Sequence, residues 1–257
     1  MLEIPSKHPE YVLPRYQLEL HNDVDTCAVV SPNGAYIRDV TQLGEHILLP
    51  DAQYSTGTEP KRRGGTVLLF PWAGPRNGNL QHGYGRNRDW RPTEVAAAHA
   101  RMTLNLDPEG YLGEAIYDVS LLPDLPTVRQ TLTVINAGHE PMPLAPGFHP
   151  YFALPVTKRT ALKTNIPNFN PTTHDWSKPL VLPGQREILL EMPRGIIIMT
   201  TSDTLQKLVL WAQPGLDAIC VEPWAAVPGA LDTDHAPALP GLSQVQYSVT
   251  TTFHSKQ

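Results

Sequence analysis

An all-β architecture, a large antiparallel sandwich or barrel-like stack, is the fold class that the sequence predicts, and three observations predict it. Proline is abundant, at 27 of 257 residues, roughly twice the usual ~5%. Proline breaks helix interiors and belongs in loops and at strand edges, which excludes a helical bundle. Several segments alternate apolar and polar residues with period two, the pattern of a half-buried strand. Turn-forming clusters punctuate these segments at short intervals. Hydrophobic residues make up 41% and charged residues 18%, with a mean hydropathy of -0.25. Such a chain can bury a sizeable core, so bulk disorder is excluded.

In chain order, Tyr16, Leu18 and Leu20 alternate with polar neighbours. Pro32-Asn33-Gly34 marks a turn, and Thr66 to Phe70 reads as a buried strand. Helical propensity is good only over Pro92 to Ala100, about two turns. Met102, Leu104 and Leu106 alternate, and Asp107-Pro108-Glu109-Gly110 closes that segment. Val128, Gln130, Leu132 and Val134 form the next alternation, ended by Asn136-Ala137-Gly138. Asn165 to Gln185 is poor in apolar residues and reads as a long excursion, either a surface loop or part of a binding rim. Buried strands follow at Gly195 to Thr201, Leu208 to Ala212 and Ala218 to Val221, with a turn at Gln213-Pro214-Gly215. The tail is the most regular: Val245, Tyr247, Val249, Thr251 and Phe253 face one way, and Gln246, Ser248, Thr250 and Thr252 the other. No linker or internal repeat divides the chain, so residues 1–257 read as one β domain.

The formal net charge is -5. The run Lys61-Arg62-Arg63 is short and isolated and reads as a solvated loop, so no nucleic-acid partner is expected. Cys27 and Cys220 are the only cysteines, which fits a reducing, cytoplasmic compartment. The N-terminal MLEIPSKHPEYVLPRY lacks an apolar stretch of signal-peptide length, and no apolar run could span a bilayer.

Three segments combine unusual composition with titratable groups. Gly64 to Trp90 carries six glycines, His82, Arg76, Arg86, Arg88 and two tryptophans. Glycine lets backbone approach a ligand, arginine offers a planar fork to oxyanions or hydroxyls, and tryptophan offers a plate for a sugar's C–H face. A structural Gly-Pro loop with solvated arginines is the plainer account. Pro143 to Leu154 places His149 in an apolar segment, as a proton-transfer group or as a core histidine satisfied by a carbonyl. Leu216 to Gly229 ends an apolar strand in Glu222, which is either a functional carboxylate or a side chain turned outward. Zinc-finger spacing, HExxH, phosphate-loop and GxSxG motifs do not occur. Two histidines and a carboxylate can also form a metal-binding facial triad, although the three lie on separate segments.

These segments carry a resemblance over almost the whole chain. Ser31-Pro32-Asn33-Gly34-Ala35 with Gly44 and Leu48-Leu49, then Gly64-Gly65, Phe70-Pro71 and Arg76, then His82-Gly83, Arg86 and Trp90 follow in order. Gly147-Phe148-His149-Pro150-Tyr151-Phe152 and Val221-Glu222-Pro223-Trp224 complete the series. The sequence resembles the galactose mutarotase-like superfamily of aldose 1-epimerases and hexose-6-phosphate 1-epimerases. The resemblance implies a β-supersandwich and interconversion of the α and β anomers of a hexose or hexose 6-phosphate. It implies Glu222 as general base, His149 as general acid, His82 as a positioning donor, and Arg76 and Arg86 as contacts to hydroxyls or phosphate. It implies a sugar as the partner and neither metal nor cofactor, since proton transfers alone open and close the ring. Gln185-Arg186-Glu187 stands around the stretch where the family carries a sugar-contacting Asp, and a noncatalytic sugar-binding protein of the same fold is the alternative.

Overall fold

The computed structural model describes residues 17–56 and 59–255, of which residues 52–56 and 59–62 are described by their backbone alone. The N-terminal segment and Tyr16 lie outside the described residues. Two large antiparallel sheets face each other. The first has nine strands. Its main path runs Leu18–His21, Thr26–Ser31, Tyr36–Gln42, Thr66–Leu69, Gly147–Ala153, Ala218–Trp224, Lys207–Trp211 and Leu180–Pro183, with Glu45–His46 paired to Tyr36–Gln42. The second has eight strands and is built around Thr127–Asn136 and the long tail strand Ser243–Ser255. Two two-stranded ribbons complete the pairing.

Period-two alternation decides what lies between the sheets. From the first sheet, Leu68, Phe148, Phe152, Leu208, Leu210, Ile219 and Val221 point inward. They meet Met102, Tyr117, Leu132, Ile197, Met199, Tyr247, Val249 and Phe253 of the second sheet in one continuous apolar cluster. The tail strand behaves as its sequence predicts: Tyr247, Val249, Thr251 and Phe253 are buried, and their neighbours are half-buried or exposed. The fold is therefore all-β, two stacked antiparallel sheets, as the sequence predicts. Among the described residues no helix is long and apolar enough to cross a membrane, and Cys27 and Cys220 are free thiols.

Three local expectations are corrected. Pro92 to Ala100 is not helical: Arg91–Ala96 and His99–Asn105 are strands joined by a tight turn. Helix propensity is a weak prior, and pairing at the sheet margin overrides it. Pro92 is tolerated because this is the outermost strand of its sheet. The excursion from Asn165 to Gln185 is more than a loop or rim. Ile166 and Trp176 join the core, and Leu180–Pro183 adds the last strand of the first sheet. Arg63 does not belong to a solvated loop: it ends the strand Glu59–Arg63 and is half-buried.

Proline also enters the middle of the first sheet, at Pro150 and Pro223. Gly147 pairs with Trp224 and Tyr151 with Cys220. The same register sets His149 opposite Glu222. Both prolines fall between those two flanking pairs, so the ladder bonds that they cannot donate are lost only there.

Candidate functional site

The outward face of the first sheet carries the chemistry. Alternation that sends Phe148 and Phe152 into the core sends Gly147, His149 and Tyr151 to the other side. It does the same for Cys220, Glu222 and Trp224, which share that face with Val209 and Trp211. His149 Nε2 lies 3.5 Å from Glu222 Oε1, with both side chains almost fully buried. The other carboxylate oxygen, Oε2, accepts a hydrogen bond of 3.1 Å from Trp224 Nε1. Tyr151 stacks on His149 with ring centroids 4.6 Å apart and only 8° between planes, and its hydroxyl oxygen is 3.4 Å from His149 Nε2.

His82 arrives from the loop that crosses this face. Its ring centroid is 5.9 Å from that of His149 and 6.0 Å from that of Trp224. Backbone geometry fixes its approach. His82 (φ 66°) and Gly83 (φ 71°) are both left-handed, and a Cβ on Gly83 would sit 2.1 Å from the Phe70 carbonyl oxygen. Gly74 N–H donates to His82 Nδ1 at 3.0 Å, while His82 N–H donates to Gly74 O at 2.8 Å. An Nδ1 that accepts a backbone N–H places the proton of the neutral ring on Nε2. His82 therefore presents Nε2–H as its donor.

Burial dominates the electrostatics. It pushes Glu222 well above the usual carboxylate range, opposed by the Trp224 N–H, which favours the ionised form. Burial holds His149 well below the ordinary histidine value, helped by His82, Arg63 and Arg86. His82 is lowered to about 3, first by burial and then by Arg86 and Arg63. Burial and then Glu222 raise the Cys220 thiol. His149, Cys220 and Glu222 each offer a ligand atom, all within 4.8 Å of one another.

The structure thus gathers Glu222, His149 and His82, and sets Arg86 near enough to act on both histidines. Arg76 is placed differently: it is half-buried, with its guanidinium 4.6 Å over the Trp72 ring. The charge beside the histidines comes from Arg63 as well as Arg86, and Arg63 also approaches the Trp211 ring at 5.9 Å. Sequence reading passed over Arg63 because a run of three basic residues usually marks a solvated strand or loop. The signal that could have found it is its position directly before Gly64-Gly65. Gln185, Arg186 and Glu187 serve the second sheet, where Arg186 donates to Thr201 O at 3.1 Å. Across the first sheet, the row through His149 and Glu222 continues to Val209 and Val181, without a carboxylate.

The family model for aldose 1-epimerase matches residues 16–174. The chain belongs to the aldose 1-epimerase family. The matched span includes Arg76, His82, Arg86 and His149, whereas Glu222 lies beyond it. Solved structures extend the likeness over the whole fold. The Slr1438 protein of Synechocystis sp. PCC 6803 superposes with a TM-score of 0.79 at 20% identity, covering 94% of this chain and 96% of that one. A galactose mutarotase related enzyme of Lactobacillus acidophilus gives 0.75 at 18% identity, covering 93% and 98%. A galactose mutarotase-like protein of Lactobacillus casei ATCC 334 gives 0.72 at 17% identity, covering 93% and 100%. At these identities the likeness shows the shared fold. No curated protein matches the chain in sequence.

Proposed function

We propose that this aldose 1-epimerase family member is a mutarotase that interconverts the α and β anomers of a hexose 6-phosphate in preference to a free hexose. The observation that carries the reading is the 3.5 Å approach of His149 Nε2 to Glu222 Oε1 on one sheet face, with the His82 ring beside them. Glu222 takes the proton from the anomeric hydroxyl O1. The C1–O5 bond breaks with its electron pair going to O5, and His149 delivers a proton there. The open-chain aldehyde rotates about C1–C2, and the steps reverse on the other carbonyl face. Each turnover returns both protons to where they began. His82, through Nε2–H, holds the ring oxygen. A positioned acid or base contributes ~10²–10⁴-fold.

Support for the phosphate comes from Arg63 and Arg86, whose charges reach the histidines. Arginine suits bidentate contacts to an oxyanion. Arg76, over Trp72 at the rim, would meet sugar hydroxyls or the same phosphate. The test is NMR exchange between anomers of glucose and of glucose 6-phosphate at equal enzyme concentration. Faster exchange of the phosphate is expected, and Arg63→Ala or Arg86→Ala should reduce that advantage by about tenfold, the scale of one charged hydrogen bond. Equal rates for both sugars would remove the phosphate preference. Saturable sugar binding without faster exchange would instead mark a noncatalytic carbohydrate-binding member of the family.

A further inference from the structure

Trp224 is a buried side chain of this face that the proposed chemistry has not yet used, and the fold makes unusual room for it. Its indole is buried on the sheet face that carries Glu222. Two glycines are shaped around it. A Cβ at Gly147 would lie 2.7 Å from Trp224 Cδ1, and one at Gly74 would lie 3.0 Å from Trp224 Cζ3. Gly147 is also its ladder partner, so the indole sits over bare backbone. Ala73, Leu69 and Val209 complete an apolar cluster around it. The packing orients Nε1–H onto Glu222 Oε2 at 3.1 Å, and Oε1 is thereby left facing His149.

From this geometry we infer that Trp224 is a positioning residue for the catalytic base: its indole N–H fixes the rotation of the Glu222 carboxylate and holds it in the ionised, proton-accepting form. The inference rests on the mutarotase reading. A carboxylate buried in an apolar setting favours its neutral form, and a neutral acid cannot take a proton from O1. A hydrogen bond from a neutral donor favours the anion without adding charge to the site. The other groups facing Glu222 do not do this work in the same way. His149 and Tyr151 stand on the neighbouring strand and Cys220 on its own. His82, Arg63 and Arg86 act on His149. On the strand beyond, Val209 opposes Glu222 and Lys207 opposes Trp224.

The test compares wild type with Trp224→Phe, which keeps a flat apolar ring and removes the donor, and Trp224→His, which restores an N–H. Removing the donor raises the Glu222 pKa, so the acidic limb of the kcat/KM profile should move up by about one pH unit, with kcat lower by about tenfold at neutral pH and KM little changed. The histidine variant should recover part of both. In parallel, the indole N–H resonance of ¹⁵N-labelled protein should move on titration of Glu222 and shift in Glu222→Gln. If Trp224→Phe leaves the acidic limb in place while the fold is intact by circular dichroism, the positioning role is overturned. If the wild type does not speed anomer exchange, the mutarotase reading fails, and the indole resonance alone then decides whether Trp224 controls the ionisation of Glu222.

Discussion

The strands Gly147–Ala153 and Ala218–Trp224 serve two surfaces at once. On the inward side, Phe148, Phe152, Ile219 and Val221 are wholly or almost wholly buried among the apolar side chains of the opposite sheet. On the outward side, His149, Tyr151, Cys220, Glu222 and Trp224 are equally buried, yet they are polar, aromatic or ionisable. Burial is thus the same on both faces, and its consequences are opposite. Inside, removal from water stabilises the fold by roughly 25 cal/mol per Å² of apolar area. Outside, the same removal from water shifts pKa values and costs stability unless partners are present. Because a one-residue slip would exchange the two faces, the inward residues also fix the register that sets His149 opposite Glu222.

That contrast can be broken from either side. The largest effect is expected from Glu222→Gln, an outward substitution. Anomer exchange should fall by about 10²–10⁴-fold, while the melting temperature moves by no more than about 2–4 °C, because the amide keeps the shape of the carboxylate and its oxygen can still accept the Trp224 N–H. A large loss of stability with activity preserved would reverse the assignment of the two faces. Phe148→Ala, one position from His149 but facing inward, should do the converse. Loss of a fully buried ring should destabilise by about 3–5 kcal/mol in denaturant unfolding, with the exchange rate per folded molecule little changed.

A smaller effect should appear in acid. The folded-state pKa of His82 is about 3 against an ordinary 6.5. Between those values the unfolded chain takes up a proton that the folded chain refuses, so stability is complete above pH 6.5 and falls as pH drops toward 3. The His82 residue is only half-buried, so His82→Asn should recover about a few degrees of melting temperature near the bottom of that window and none above it. An acid melting profile identical to wild type would show that the burial of His82 carries no such linkage. His149 and His174, lowered in the same direction, add to the slope, and Glu222, raised, opposes it.

Much of this was legible in the chain because period-two alternation reports burial directly. The tail strand and the run Ala218 to Val221 were readable for that reason, and the motifs around His82, His149 and Glu222 marked the candidate residues. Propensity was less informative: Pro92 to Ala100 looks helical residue by residue, and only the pairing of Arg91–Ala96 with His99–Thr103 makes it a hairpin. Arg63 was hidden by its company. Its neighbours Lys61 and Arg62 make it look like part of a solvated run, and nothing local shows that its charge reaches the histidines. The role of Trp224 was equally out of reach, since it depends on space left by Gly74 and Gly147, which are 150 and 77 positions away.

That space has an evolutionary consequence. A side chain at Gly147 would enter the volume that the Trp224 indole fills, so the glycine is tied to the indole. A relative that acquires even a methyl group at the position of Gly147 must give up the indole at that of Trp224, and with it the donor to the carboxylate. The two alignment columns should therefore covary, and lineages lacking the pair should show a base that works only in more alkaline surroundings.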